Sequence, residues 1–309
     1  AQPGQTFTHG RVAYENQQPR TRITDTAYTV STGLQGKLGD GWTWDASYTY
    51  GHNQFYRETF NMRNRALYAL AADAVINPAN GQVVCRSTLT SPTNGCVPVN
   101  LFGEGSPSAQ AFAYYTGTAW AKLNYQQHAA QFNVQGEPFR TWAGPVSIAA
   151  GLEYRHERAD ATVDAITPTN VWDLSVGGAF KGSFNVKEGY FEATVPLAKD
   201  LPFAHSLTFN GAIRYADYSG FGGATTWKIG GTWEPVDGVL LRGAHSLDIR
   251  APTIYETSAA PATSLNNVLY NNVTYPGVLI ENAGNPNLQP EQWKTTTFGV
   301  AFTPRFLPG

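Results

Sequence analysis

Charge is scarce in this sequence. Asp, Glu, Lys and Arg make up 14% of its 309 residues, against roughly a quarter in an ordinary soluble domain. Such a chain is either deeply buried or placed in lipid, yet long hydrophobic runs are missing as well. No stretch approaches the ~18 consecutive apolar residues of a transmembrane helix, and mean hydropathy is -0.31. A helical membrane protein is therefore excluded, and the apolar residues must be dispersed. Basic blocks are absent too: the net charge is -2 and the pI near 6.3, so no nucleic-acid partner is expected. The opening AQPGQTFTHG has no start methionine and neither the charged nor the apolar region of a signal peptide, which reads as a mature start or a fragment.

Catalytic signatures are also missing. The sequence contains no HExxH, GxSxG or GxxxxGK[ST] and no visible grouping of His with carboxylates, so neither an enzyme nor a bound cofactor or metal is expected. The histidines His9, His52, His128, His156, His205 and His245 are scattered over different segments and read as interfacial or satisfied side chains. Cysteine is limited to Cys85 and Cys96 within VVCRSTLTSPTNGC. A disulfide closing that short loop would contribute about 3 kcal/mol in the chain-entropy model and persists in oxidising compartments. The alternative, a metal pair, lacks a third and fourth ligand nearby.

What the chain does have is alternation. Tyr28, Val30, Leu34 and Leu38 alternate with Thr29, Ser31, Gln35 and Lys37; after GDG, Trp42, Trp44, Ala46, Tyr48 and Tyr50 alternate with Thr43, Asp45, Ser47 and Thr49. Period two with one dry and one wet face predicts strands. The same pattern predicts strands near 120–136 and 146–158, 184–197 and 205–217, 223–233 and 239–250, and a ninth near 292–303. Links at 39–41, 137–145, 198–204 and 234–238 are short, whereas 51–119, 159–183 and 251–291 are long. Within the longest, RALYALAADAVINP reads as a helix ended by Pro78 and SAQAFAYYTGTAW as another short helix.

Short turns on one side and long loops on the other describe an all-β, antiparallel transmembrane β-barrel. Trp42, Trp142, Phe203 and Trp233 lie near the short turns, as in an interfacial aromatic girdle. A soluble sandwich, for instance a sugar-binding β-protein, also alternates, but its wet face normally carries many Lys and Glu; here it is mostly Thr, Ser, Asn, Gln and Gly. About nine strands leave a bacterial barrel unclosed, since an open edge in lipid strands backbone groups at several kcal/mol each. The expectation is a partial barrel over 1–309, ending at PRFLPG in a turn that awaits another strand.

LRGAHSLDIRAPTIYE, residues 241–256, condenses these features. Leu241, Leu247 and Ile249 are assigned to lipid or its interface, Arg242, Asp248 and Arg250 to the interior. Pro252, lacking a donor, marks the exit from the sheet. His245 shares the apolar parity. Further interior candidates are Asp45, Glu153, Arg155, Glu188, Glu192, Arg214 and Lys228, whose mixed signs suit contact with a plug better than selection of one ion. Candidates for ligand contact in the long loops are Tyr114, Tyr115, Trp172, Tyr255, Tyr270 and Tyr275, where rings can stack on a ligand or pack the loop itself.

YSGFGGATTWKIGGTWEPVDGVLLRGAHSLDIRAPTIYE, followed by GNPNLQPEQWKTTTFGVAFTP, resembles the barrel of TonB-dependent outer-membrane receptors. AVINPANGQVVCRSTLTSPTNGCVPVNLFGEG resembles the cysteine-bearing loop of a proteobacterial subgroup of them, and the match spans most of 67–304. Its signature positions are Arg250, Ala251, Pro252, Gly284, Asn285, Pro286, Asn287, Leu288, Pro290 and Glu291. Pro286 and Pro290 are expected to hold the backbone extended before a strand. The resemblance implies a barrel of about 22 strands around a plug, with this chain as its middle and later part and the plug absent from it. It also implies partners: outer-membrane lipid, the plug, the TonB-ExbB-ExbD complex acting through it, and a small-molecule or oligosaccharide ligand such as siderophore-iron or vitamin B12. Rival readings are a passive porin-like barrel and a surface adhesin.

Overall fold

A computed structural model describes residues 18–103 and 105–303. His9 and the turn expected at 304–309 lie outside the described residues. The chain opens with β1 (Arg20–Lys37) and β2 (Trp42–Arg63), then enters a loop region with α1 (Arg65–Ala72), β3 (Ala74–Ile76), β4 (Val83–Cys85), α2 (Arg86–Thr90) and α3 (Ala109–Tyr115). Hairpins β5 (Thr116–Thr141) and β6 (Gly144–Val163), β7 (Phe180–Leu201) and β8 (Ala204–Tyr218), and β9 (Gly222–Val236) and β10 (Val239–Arg250) follow. Last come α4 (Ile254–Ser258), β11 (Ala262–Tyr270), β12 (Val273–Asn282) and β13 (Glu291–Phe302).

Nine strands form one sheet in the order β1-β2-β5-β6-β7-β8-β9-β10-β13, with β1 and β13 at its edges and no closure between them. Each strand pairs with its neighbour in the chain except where β3–β4 and β11–β12 form separate hairpins in the loops. Pairing is antiparallel with few shifts: Val186↔Tyr218 to Leu201↔Ala204 between β7 and β8, and Val239↔Phe302 to Arg250↔Glu291 between β10 and β13. All nine expected strands are present.

The structure corrects several boundaries. β2 runs on to Arg63 and β5 starts at Thr116, so the first long connection is 64–115 rather than 51–119. The second is 164–179 rather than 159–183, because β6 and β7 extend into it. The helix read from RALYALAADAVINP stops at Ala72, well before Pro78, and Ala74–Ile76 pairs with Val83–Cys85. Val75 and Ile76 are β-branched, which favours the ladder.

The sheet has the two faces that alternation requires. Phe132, Val134, Leu152, Phe191, Ile213 and Tyr215 line one continuous apolar surface. Phe298 is 87% exposed and Leu34 72%. An apolar face across most of nine strands far exceeds the few hundred Å2 that a soluble monomer tolerates; at about 25 cal/mol per Å2 it demands an apolar surrounding. Two glycines let rings lie flat on the wall. A Cβ on Gly136 would run into the Trp42 indole, and one on Gly151 into the Tyr190 ring.

The chain divides into two compact units. One holds residues up to 26, 54–123 and 161–179; the other holds 27–53, 124–160 and the chain from 180 on. The first has two buried clusters, Met62, Ala119, Trp172 and Val176, and Ala71, Val99, Ala111 and Tyr115. The second has one, Val186, Ala216 and Tyr218, with Phe184, Phe221, Ile249 and Ala251 packed on it. Ile249 is therefore a correction, since its parity assigned it to lipid or its interface. Pairing of β10 with β9 ends at Leu247↔Trp227. Beyond that point β10 is held by β13 alone, and Ile249 packs against the cluster.

Candidate functional site: a cross-linked polar face and a locked loop base

The polar face of the second unit carries a web of charged and amide side chains that links four strands. Glu188 is its hub, with a side chain only 6% exposed; Arg214 Nη1 lies 3.0 Å from one of its oxygens and Arg155 Nη2 3.7 Å from the other. Arg155 also approaches Glu153 at 3.6 Å and Glu157 at 3.0 Å. The Nε contact with Glu157 is an ion pair rather than a directed hydrogen bond, because Arg155 Nε lacks an aligned acceptor. Glu157 accepts hydrogen bonds from Tyr125 Oη and, at 3.2 Å, from Gln127 Nε2. Gln131 Nε2 donates to Glu153 at 2.9 Å.

A neighbouring chain of bonds runs from Tyr190 Oη to Asn133 Oδ1 at 2.9 Å and from Asn133 Nδ2 to Asp45 Oδ2 at 2.8 Å. The Arg214 guanidinium sits 5.7 Å from the Tyr190 ring centroid. Arg155, Glu188 and Arg214 share a hollow of about 300 Å3 with Tyr218 and Asp248. Lys228, Arg214, Glu192 and Asp248 line a second hollow. Arg242 lines a further hollow with Lys228 and Asn210, its Nε 2.6 Å from where a Cβ on Gly299 would lie. The structure thus joins Glu153, Arg155, Glu188 and Arg214 directly, reaches Asp45 through Tyr190 and Asn133, and brings Lys228, Glu192 and Asp248 beside them.

The second feature is the base of the 251–291 segment. Arg250 ends β10 and holds two carboxylates at once. Nη2 lies 2.6 Å from Glu291 and 3.0 Å from Glu256, and Nη1 donates to Glu256 at 3.0 Å. Glu291 is the direct cross-strand partner of Arg250. Glu256 closes a capping box on α4, accepting from the Thr253 amide at 2.8 Å while Thr253 Oγ1 accepts from the Glu256 amide at 3.2 Å. Hydrogen bonding from Arg250, then from Thr253, pulls the Glu256 carboxyl down to about 2.

GNPNLQPE docks onto this helical turn. The Gly284 amide donates to the Ala259 carbonyl at 2.8 Å and the Asn285 amide to Glu256 O at 2.8 Å. A Cβ on Gly284 would come within 2.5 Å of the Ala259 amide nitrogen and 2.6 Å of that of Ser258, so glycine is needed for the close approach. Pro286 is a correction: instead of extended backbone it opens a turn, with Leu288 N donating to Asn285 O at 3.3 Å and Asn287 N to Asn285 Oδ1 at 3.0 Å. Pro290 precedes β13 directly, and Pro252, buried, sits between the end of β10 and the Thr253 cap.

The aromatic candidates separate into two groups. Tyr115 and Trp172 are 5% and 7% exposed and belong to the buried clusters of the first unit, with Tyr114 packed against one of them. Burial pushes the Tyr115 hydroxyl above its ordinary pKa. Tyr255, Tyr270 and Tyr275 are all exposed, and Tyr255 meets Phe180 edge-on at 5.2 Å. Cys85 and Cys96 form the disulfide.

Sequence reading missed two groupings. Asp164 is a buried loop staple: its oxygens accept from the Trp120, Ile166 and Thr167 amides at 2.9–3.1 Å and from Thr167 Oγ1 at 2.6 Å. Burial pushes its pKa up, but the hydrogen bonds from Thr167, Trp120 and Ile166 outweigh this and leave it below the ordinary carboxylate value. His205 comes within 4.8 Å of Glu234 and Asp237, about thirty positions further along the chain, because β8 pairs with β9 at Ser206↔Glu234. A grouping of His with carboxylates therefore does exist. Two of its members are exposed and Glu234 already accepts from the Gly238 amide at 3.1 Å.

Comparison with known proteins agrees with this geometry. A family model described as TonB dependent receptor-like, beta-barrel matches residues 1–308. Among solved structures, the siderophore receptor PirA from Acinetobacter baumannii is similar at a TM-score of 0.54 and 16% identity, over 91% of this chain and 33% of its own. A mutant of the ferric enterobactin receptor PfeA from Pseudomonas aeruginosa gives 0.56 and 13%, over 92% and 33%. The chain spans about a third of the length of these structures.

Proposed function

Because the chain belongs to the TonB-dependent receptor β-barrel family, we propose that it supplies part of the wall and the ligand-facing connections of a bacterial outer-membrane receptor. In this reading a scarce ligand is captured outside, and the TonB-ExbB-ExbD complex acts on a plug domain to admit it. The observation that carries the reading is the polar face. A passive pore leaves its lining free for water and ions, whereas here Tyr125, Arg155, Glu157, Glu188 and Arg214 are tied into a web across four strands. Such a preorganised, mixed-sign surface suits a folded protein partner better than an ion stream.

Tyr255, Tyr270 and Tyr275 carry the ligand-contact role in this proposal, since they are exposed on the segment held by the Arg250 lock. Tyr115 and Trp172 pack their loops instead. The PirA and PfeA likenesses make a ferric siderophore the first ligand class to test, before a corrinoid or an oligosaccharide. Uptake of each is measured in cells expressing the receptor, with and without TonB. Uptake of one class that disappears without TonB is the expected result. Uptake that persists without TonB would establish a passive pore, and surface binding with no uptake an adhesin.

A further inference from the structure

The apolar face carries a feature that active uptake does not use. His52 on β2, His128 on β5 and His156 on β6 all have the parity of the apolar side chains on their strands, with Tyr48 and Tyr50, with Phe132, and with Leu152 and Tyr154. They form one row with aromatic neighbours. Tyr28 stacks on His52 at 5.2 Å, Tyr50 lies 4.9 Å from His128, and His128 lies 6.3 Å from His156. Each anchored ring is held by one nitrogen. Tyr48 Oη lies 2.6 Å from His128 Nδ1, and Asn185 Oδ1 accepts from His156 Nδ1 at 2.7 Å and from Tyr154 Oη at 2.9 Å. Nε2 of His128 and of His156 has no protein partner among the described residues.

The row sits where the apolar band ends. From Trp42, near the short turn, to His52 is about ten residues, or roughly 33 Å along a strand; with a barrel tilt of about 40° this spans about 25 Å, the height of a lipid band. Above the row the same face becomes cationic. Arg158 and Lys181 share the single carboxylate of Asp160 at 3.5 and 3.7 Å, and Lys187 stands opposite Asp217. Two cations on one carboxylate leave positive charge unbalanced beside the histidines. His245 differs: it meets Trp227 edge-on at 5.4 Å, its Nδ1 lies 2.8 Å from Thr296 Oγ1, and it stands only six positions after the start of β10 at Val239, so it lies within the band.

We propose that His52, His128 and His156 form a binding site for the anionic phosphate of a membrane lipid. The row continues the lipid-facing surface, so the lipid's chains lie on the apolar wall while its headgroup meets ring nitrogens and the cations above them. Imidazole and tyrosine hydroxyls provide directed hydrogen bonds to phosphate oxygens; Arg158, Lys181 and Lys187 provide charge. The inference rests on the membrane placement of the sheet proposed above.

The test uses the full-length receptor in detergent, supplied with phosphatidic acid or with a galactosyl diacylglycerol of the same acyl chains, and counts retained lipid by native mass spectrometry. Phosphatidic acid is expected to be retained about fivefold better, consistent with charge-assisted hydrogen bonds. The triple variant H52A/H128A/H156A should lose that preference, while H245A keeps it. Should the triple variant fail to refold, H128Q and H156Q singly should each reduce the preference. Equal retention of the two lipids, or a preference unchanged in the histidine variants, overturns the proposal. A receptor that retains neither lipid and remains in the aqueous phase without detergent overturns the membrane placement itself.

Discussion

The two loop systems are held in opposite ways. The first unit is built as a small globular domain. Met62, Trp172 and Val176 form a dry cluster, Asp173 and Arg63 pair at 2.5 Å, the Arg65 amide donates to Val171 O at 2.8 Å, and the Arg65 guanidinium reaches the Asn170 carbonyl. The Cys85–Cys96 bond and the Asp164 staple add further ties. The 251–291 segment has little of this. Its β11–β12 hairpin turns at Asn271 and Asn272, both with positive φ as a two-residue hairpin prefers, and exposes Leu269, Tyr270 and Leu279. It is tied down at its base by Arg250, Glu256, Glu291 and the Gly284 contact. A loop with its own apolar core keeps its shape when one polar contact is lost, whereas an arm on a polar lock depends on that lock.

Breaking the core side should have the largest effect. Trp172→Ala removes a ring with 7% exposure and should destabilise the first unit by about 3–5 kcal/mol, read as faster hydrogen exchange across 64–115 and 164–179 with the hairpin strands from β7 to β10 unchanged. Reducing Cys85–Cys96 comes next. A loop of this size should cost about 3 kcal/mol in the chain-entropy model, and exchange should rise around β4 and α2; no rise would mean the buried cluster alone fixes the loop.

On the lock side, Gly284→Ala forces a methyl against the Ala259 and Ser258 amides and should cost about 1–3 kcal/mol, confined to protease sensitivity within 259–290. If the arm's sensitivity does not change, the base lock does not position it. The smallest effect is electrostatic. Glu256 titrates near 2 in the folded chain against an ordinary value of 4.5, so its contribution is complete above about 4.5 and fades as pH falls toward 2. A carboxyl titration by NMR should place its midpoint near 2 and move it back toward 4.5 in R250Q. An unmoved midpoint would assign the depression to the Thr253 capping bonds instead.

Particular residues show how far the sequence could be read. The parity of Phe132, Leu152 and Ile213 announced the apolar face, and that of Glu153, Arg155 and Arg214 the polar one, because period two is a property of any extended backbone. The same rule misplaced Ile249, where β10 has lost its β9 partner. Rings in the long connections carried no such rule. Tyr115 and Tyr255 look alike in sequence, yet one lies in a cluster with Ala71 and Val99 and the other stays exposed.

The sequence by itself determined the strands, their faces and the alternation of short and long connections, all consequences of local periodicity, and placed two cysteines in one loop without deciding that they pair. Tertiary structure decided which distant groups meet. Arg250 joins Glu256 to Glu291, β8–β9 register gathers His205, Glu234 and Asp237, and three histidines on three strands fall into one row. These depend on inter-strand register and loop packing, where a shift of one residue changes every partner.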